Sequence, residues 1–225
     1  MSPMTRALPL AALPALLVVN LACAVGCAER VTGSGVIKSE QRQVAGFNEV
    51  KLRGSGELTI TVDPDGPESL VVEADDNLLP LLTSEVRGDE LVLGIRNNTN
   101  IHATRPIRYR VTAKELNAIG SAGSGSIRAS GIAAKRFHAD ISGSGGMDLS
   151  GSADEAEFTI SGSGSYDAAH LRTRAARVRI SGSGDATVNA SEQLEANIAG
   201  SGSVRYAGNP KVEQHIAGSG SVARR

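Results

Sequence analysis

The chain has 225 residues, room for one domain of ordinary size or two small ones, and it is 40% hydrophobic, 21% charged and only 3% aromatic. It contains 26 glycines and no tryptophan, which points to a thin core with many turns rather than a thick aromatic one. The formal net charge of -1 excludes a broad electrostatic attraction to nucleic acid or an anionic membrane surface, and the Val, Ile and Leu between the glycines exclude a flexible linker.

The first expected element is an export signal over residues 1–27. Arg6 is the single charge ahead of the apolar run Ala7–Val19, and Pro9 and Pro14 oppose a stable membrane-spanning helix. Both cysteines, Cys23 and Cys27, fall at its end, so the remaining 198 residues carry no disulfide. Ala24-Val25-Gly26-Cys27 is similar to the lipobox of bacterial lipoproteins, which makes Cys27 the expected lipid-attachment residue. Ordinary signal-peptidase cleavage after Ala24 or Ala28 is the alternative. The expected contact with a membrane is through that anchor only.

Residues 28–225 read as one domain. In its irregular part, 30–117, strands are expected over Leu58–Val62, Ser69–Glu73, Glu90–Ile95 and Ile107–Thr112. Asp63-Pro64-Asp65-Gly66 and Arg87-Gly88-Asp89 are turns between them, and Asp75-Asp76-Asn77-Leu78-Leu79-Pro80 is a short capped turn. No stretch shows a sustained helical period.

Residues 118–225 carry the repeat. Gly-Ser-Gly begins at Gly33, Gly54, Gly123, Gly143, Gly162, Gly182, Gly200 and Gly218, and the last six copies are spaced 20, 19, 20, 18 and 18 residues apart. A near-constant spacing with small slips is expected of a solenoid whose coils stack but vary at an outer turn. Two residues before the tripeptide stand Leu52, Ile141, Ile160, Ile180, Ile198 and Ile216. Four after it stand Leu58, Ile127, Met147, Tyr166, Ala186, Val204 and Val222. Even offsets share one face of extended chain, so these residues and both glycines face inward, where the glycines leave room for a bend or for the opposite wall. The odd-offset serines between the glycines face outward and stack into a hydroxyl ladder. Ser144, Ser163, Ser183, Ser201 and Ser219 are the candidate binding face. The bland alternative is that small hydroxyl residues simply suit a tight turn.

Three segments joined to this ladder carry a family resemblance: Phe47-Asn48-Glu49-Val50-Lys51-Leu52-Arg53-Gly54-Ser55-Gly56, Val71-Val72-Glu73-Ala74-Asp75-Asp76-Asn77-Leu78-Leu79, and Asp89-Glu90-Leu91-Val92-Leu93. Together they resemble the head GIN domain of auto-transporter adhesins over about residues 34–220. The resemblance implies an all-β fold, a right-handed parallel β-helix-like solenoid with coils of about 18–20 residues and a more irregular N-terminal half. It also implies a bacterial envelope protein, outer membrane-anchored, periplasmic or at the cell surface. The long polar face is the expected contact for an unidentified glycan or envelope or surface protein.

Enzymatic readings are weaker. Carbohydrate-cleaving β-helices need clustered carboxylates or a basic residue beside Ca²⁺ on neighbouring coils. Here the acidic positions are scattered; Asp148 and Asp167 share an offset in adjacent coils, but Thr187 and Arg205 follow them. The four histidines occupy unrelated offsets with no cysteine nearby, and no phosphate-cradling loop is present. No catalytic residue, metal ligand or cofactor is therefore assigned. Lys114, Lys135, Arg136, Arg172, Arg174, Arg177 and Arg179 form a moderately basic region that reads as a solvated face. A self-associating structural protein is the principal rival to a binding protein, with a carbohydrate-active β-helix enzyme behind it. An uncapped terminal coil is a natural pairing edge.

Overall fold

The computed structural model describes residues 29–225; the signal segment and Cys27 lie outside the described residues. Seventeen strands run in chain order. The N-terminal set is β1 (Glu29–Thr32), β2 (Ile37–Arg42), β3 (Glu49–Gly54), β4 (Glu57–Val62), β5 (Ser69–Asp75), β6 (Leu82–Arg87), β7 (Glu90–Ile95), β8 (Thr99–His102) and β9 (Arg108–Ala113). Coils follow in β10 (Ala118–Gly123), β11 (Ser126–Gly143), β12 (Gly146–Gly162), β13 (Ser165–Gly182), β14 (Asp185–Gly200), β15 (Ser203–Ala207), β16 (Lys211–Gly218) and β17 (Ser221–Arg224). The fold is a β-solenoid of about five turns. Among the described residues no helix is long and apolar enough to cross a membrane.

The coils stack in parallel and in register. Ile141, Ile160, Ile180, Ile198 and Ile216 align row on row, as do Gly143, Gly162, Gly182, Gly200 and Gly218. Alternation makes the core: Phe158, Ile160, Val178 and Ile180 are at most 1% exposed, while Ser161, Arg177, Arg179 and Ser181 between and beside them are exposed. Phe158 and Tyr166 meet edge to face at 5.4 Å, and the Tyr166 hydroxyl donates to the Thr159 carbonyl at 2.8 Å. Burial pushes the Tyr166 pKa up, with Asp140 adding to the effect, so the hydroxyl stays protonated and donating. One residue breaks the apolar row. Ser121 stands where the other coils have Leu or Ile, fully buried, with a hydroxyl that lacks a hydrogen-bond partner.

The inward-glycine expectation needs refinement. From Gly54 onward the first glycine of each tripeptide has a positive φ, +130° at Gly182, and a Cβ there would run into the Gly162 carbonyl of the coil beneath. A Cβ on the second, as at Gly184, would meet Ile160 Cγ2 at 2.7 Å. The close approach is thus to the coil below, not to the opposite wall. Two glycines let the chain turn the corner while backbone stacks on backbone at roughly 4.8 Å.

Spatial order departs from chain order at the N-terminal end. β3 and β4 form a coil directly beneath β10 and β11, with Gly54 in register with Gly123. The segment that follows turns back underneath: β7 pairs with β3 and β9 with β4, so the lowest coil is made after the one above it. Antiparallel strands then close this end. β6 pairs with β7, β5 with β9 and β2 with β5. Arg42 ties β2 to this end, donating to the carbonyls of Leu79 and Leu82 at 2.8 Å each and to Ser84 Oγ at 2.9 Å.

Gly33-Ser34-Gly35 is not a coil corner. It lies in the arm between β1, which pairs with β8, and β2, and the Asp75-Asp76-Asn77 turn grips it. Fully buried Asp75 accepts from the Gly35 N–H at 2.8 Å and from the Thr104 N–H and hydroxyl at 3.0 and 2.6 Å. Ser34 Oγ donates to Asp76 at 2.6 Å, and Asn77 Nδ2 donates to the Thr32 carbonyl at 2.8 Å. Burial alone would raise the Asp75 pKa, but the Thr104 and Gly35 hydrogen bonds outweigh it and hold the carboxyl below its ordinary 3.8. Asp76 is lowered too, by Ser34 and Lys38. A depressed folded-state pKa gives stability that is present above the ordinary carboxylate value and lost as pH falls through the folded one. Acidification below about pH 4 is therefore expected to release residues 29–38 before the coils loosen. Hydrogen exchange followed by mass spectrometry tests this, and loss of coil protection first would contradict it.

Candidate functional site

The most extended polar feature is the corner itself. Ser144, Ser163, Ser183, Ser201 and Ser219 are all exposed. Each is fixed by its own backbone: Ser144, Ser163, Ser183, Ser201 and Ser219 N–H groups donate to the carbonyls of Gly123, Gly143, Gly162, Gly182 and Gly200 at 2.9–3.0 Å. The expected hydroxyl ladder is therefore present. Two more ladders flank it, which the sequence reading did not single out. Ser142, Ser161 and Ser181 stack immediately before the first glycine and are exposed. Ser126, Ser165, Ser203 and Ser221 occupy the row immediately after the second, interrupted by Gly146 and Asp185. The signal for both was in view, because the same outward offsets continue on either side of Gly-Ser-Gly as Ser-Gly-Ser-Gly-Ser.

Next to this strip runs a charged column, Thr59, Arg128, Asp148, Asp167, Thr187 and Arg205, one residue per coil. Asp148 and Asp167 are neighbours, as the shared offset implied. Arg128 Nε engages Asp148 Oδ2 at 3.3 Å, so this carboxylate has a cation on one side and Asp167 on the other. Among the described residues no group of three or more His, Cys, Asp or Glu is placed to hold a metal ion.

On the other side of the corner, an open groove of roughly 520 Å³ crosses the coils. Its floor includes Ala118, Ala156 and Ala175, where small side chains let the wall dip, and its rims are charged. Of the basic residues collected from the sequence, Arg136, Arg174, Arg177 and Arg179 form ion pairs between coils, Arg136 with Glu155 at 3.6 Å. Arg174 reaches Glu192 at 3.0 Å and Glu155 at 3.5 Å, Arg177 reaches Glu195 at 2.7 Å, and Arg179 pairs with Glu157. The Arg177 hydrogen bond, then that of Asn197, holds the Glu195 carboxyl below its ordinary range, and Glu192 raises the Arg174 pKa. Such solvent-exposed pairs contribute little stability each.

The described geometry matches a known pattern of coils over most of its length. The family model described as "Putative auto-transporter adhesin, head GIN domain" matches residues 46–210. The chain belongs to this GIN-domain family. Solved structures share the GIN-domain fold. A crystal structure of a putative adhesin from Bacteroides fragilis NCTC 9343 is 22% identical, with a TM-score of 0.71 over 87% of this chain and all of that one. Two from Parabacteroides distasonis ATCC 8503, a putative adhesin and a putative lipid binding protein, are each 25% identical over 88% of this chain and all of theirs, with TM-scores of 0.57 and 0.56. A search of curated proteins finds no match. Membership of the GIN-domain family fits a protein of the envelope or the extracellular space.

Proposed function

We propose that this GIN-domain protein is exported, held to the membrane through a lipid on Cys27, and binds a glycan through the corner strip without cleaving it. The single observation that carries the reading is the exposed run of hydroxyls repeated at successive corners, Ser144, Ser163, Ser183, Ser201 and Ser219, each hydrogen-bonded through its backbone to the corner below, with Ser142, Ser161 and Ser181 in register beside it. A repeating polymer of hydroxyl groups meets donors and acceptors at a repeating distance, and binding spreads along the face instead of converging in a pocket. The adhesin description of the family points the same way. A lipid ligand, as in the name of the Parabacteroides relative, has no comparable support, because the interior here is filled by side chains such as Phe158, Ile160 and Val178.

Glycan-array binding by the intact protein, repeated with Ser144, Ser163 and Ser183 changed together to Ala, tests the binding face. Binding that falls about tenfold or more in the variant, with no turnover of the retained glycan, is the expected result. Equal binding removes the strip from the site, chain cleavage makes the protein an enzyme, and a captured surface protein in place of any glycan changes the partner class. Cys27→Ser is expected to abolish partitioning into the detergent phase. Continued partitioning would place the anchor elsewhere.

A further inference from the structure

The two ends of the solenoid differ. Antiparallel strands close the N-terminal end, whereas among the described residues β16 and β17 have a strand neighbour on one side only, β14 and β15 respectively. Positions that are buried in every coil below are open here: Ile216 is 39% exposed, although Ile198 beneath it is 2% exposed. Gly200 and Gly202 carbonyls accept from the Ser219 and Ser221 N–H groups of the coil above, and Gly218 and Gly220 repeat the same backbone on the open side.

The sequence of β16 is self-complementary about its centre. Alternation counted back from Ser219, whose N–H points down to Gly200, directs the N–H and C=O groups of Val212, Gln214 and Ile216 to the open edge. A second β16 laid antiparallel across that edge on a two-fold axis at Gln214 puts Gln214 opposite Gln214 as a hydrogen-bonded pair. The same register places Val212 opposite Ile216 on the core side and Glu213 opposite His215 on the outer side. Shifting the axis to residue 213 would oppose Glu213 to its own copy, and shifting it to residue 215 would oppose two imidazoles, so charge selects the register centred on Gln214. Gln214 also breaks the core row, standing above Ala196, Val178 and Phe158. An amide carries both donors and an acceptor and so can bond its own copy across a two-fold axis, which an alanine cannot.

We infer that β16 is the contact strand of a homodimer in which two copies meet end to end by antiparallel pairing about Gln214. Two solenoids become one continuous body with both β16 edges paired, and the N-terminal arms point outward at both ends. This is independent of the glycan reading, since the corner strip remains exposed in either state.

The test uses the full chain carrying Cys27→Ser, so that no acyl chain adds to the measured mass. Sedimentation equilibrium across a wide concentration range is expected to give a monomer–dimer equilibrium that stops at twice the monomer mass. A strict monomer overturns the inference, and growth beyond the dimer overturns the two-fold arrangement. Gln214→Glu, which opposes two carboxylates at the axis, is expected to weaken dimerisation at least about tenfold with an unchanged melting temperature for the monomer. Mixing the Gln214→Glu and Gln214→Lys proteins is expected to restore the dimer as a mixed pair. Dimers indifferent to Gln214→Glu, or no recovery on mixing, would move the contact away from β16.

Discussion

Ile180→Asp is expected to cost several kcal/mol and to split the solenoid at its middle. Ile180 is 1% exposed and sits in register between Ile160 below and Ile198 above. Its Cγ2 lies so close to the next corner that a Cβ on Gly202 would stand 2.8 Å from it. A carboxylate there has no cation within the core, so it either stays charged and unpaired or takes up a proton at a cost of the same order. Each coil contacts only its neighbours, and the damage therefore propagates upward: β14 to β17 lose their base, while β3, β4 and β10 to β12 keep theirs. The measurable result is a lower first melting transition, with hydrogen-exchange protection lost in residues 165–225 ahead of the rest. Ser181→Asp, one residue along and exposed, is expected to stay within about 0.5 kcal/mol of the parent. Equal melting temperatures for both variants would show that the inward and outward faces have been exchanged.

Gly182→Ala is the second large effect, and it acts through backbone alone. The residue has φ +130°, a region that alanine adopts only under strain of about 1–3 kcal/mol. Its new methyl would also press on the Gly162 carbonyl, which accepts the Ser183 N–H at 2.9 Å, so relief of the clash stretches or breaks that bond. The two costs together give about 3 kcal/mol, large for a change of one methyl group. Ser183→Ala, its neighbour, is expected to leave thermal stability almost unaltered because the hydroxyl is exposed and the backbone makes the bond. Chemical denaturation of the pair separates the two roles of the tripeptide, with glycine serving the corner and serine serving the surface. A Gly182→Ala protein as stable as the parent would mean that the corner tolerates a side chain and that the glycines need another explanation.

Much of the coil was legible from offsets alone. Within six residues of each corner's first glycine, most even positions are buried and the odd ones are exposed or half-buried from β10 to β15, whereas past the register shifts of the outer turns Ile132, Leu171 and Thr173 are buried at odd offsets. Local pattern gave no access to the spatial order of the chain. Gly33 and Gly54 carry the same tripeptide, yet only Gly54 lies in the stack, and the difference resides in Asp75 and Thr104, distant in sequence from both. Likewise nothing within Glu90–Ile95 or Arg108–Ala113 tells a reader that these strands slip beneath β3 and β4 instead of following them. β2 and β6 escaped notice because they are mostly polar edge strands with weak alternation. On the site, the central serine row was read correctly as outward-facing, while its two flanking rows and the cross-coil partners of the arginines needed the register that only stacking supplies.

The identical corners also make length a separable property of this molecule. Because Gly143, Gly162, Gly182 and Gly200 meet their neighbours through the same backbone contact, a whole coil can be added or removed between two corners without redesigning either junction. Each such change moves the far end by roughly 4.8 Å and adds or subtracts one row of hydroxyls. The length of the body and the number of hydroxyl rows it displays would then rise together, in fixed steps, by simple duplication of a segment of 18 to 20 residues.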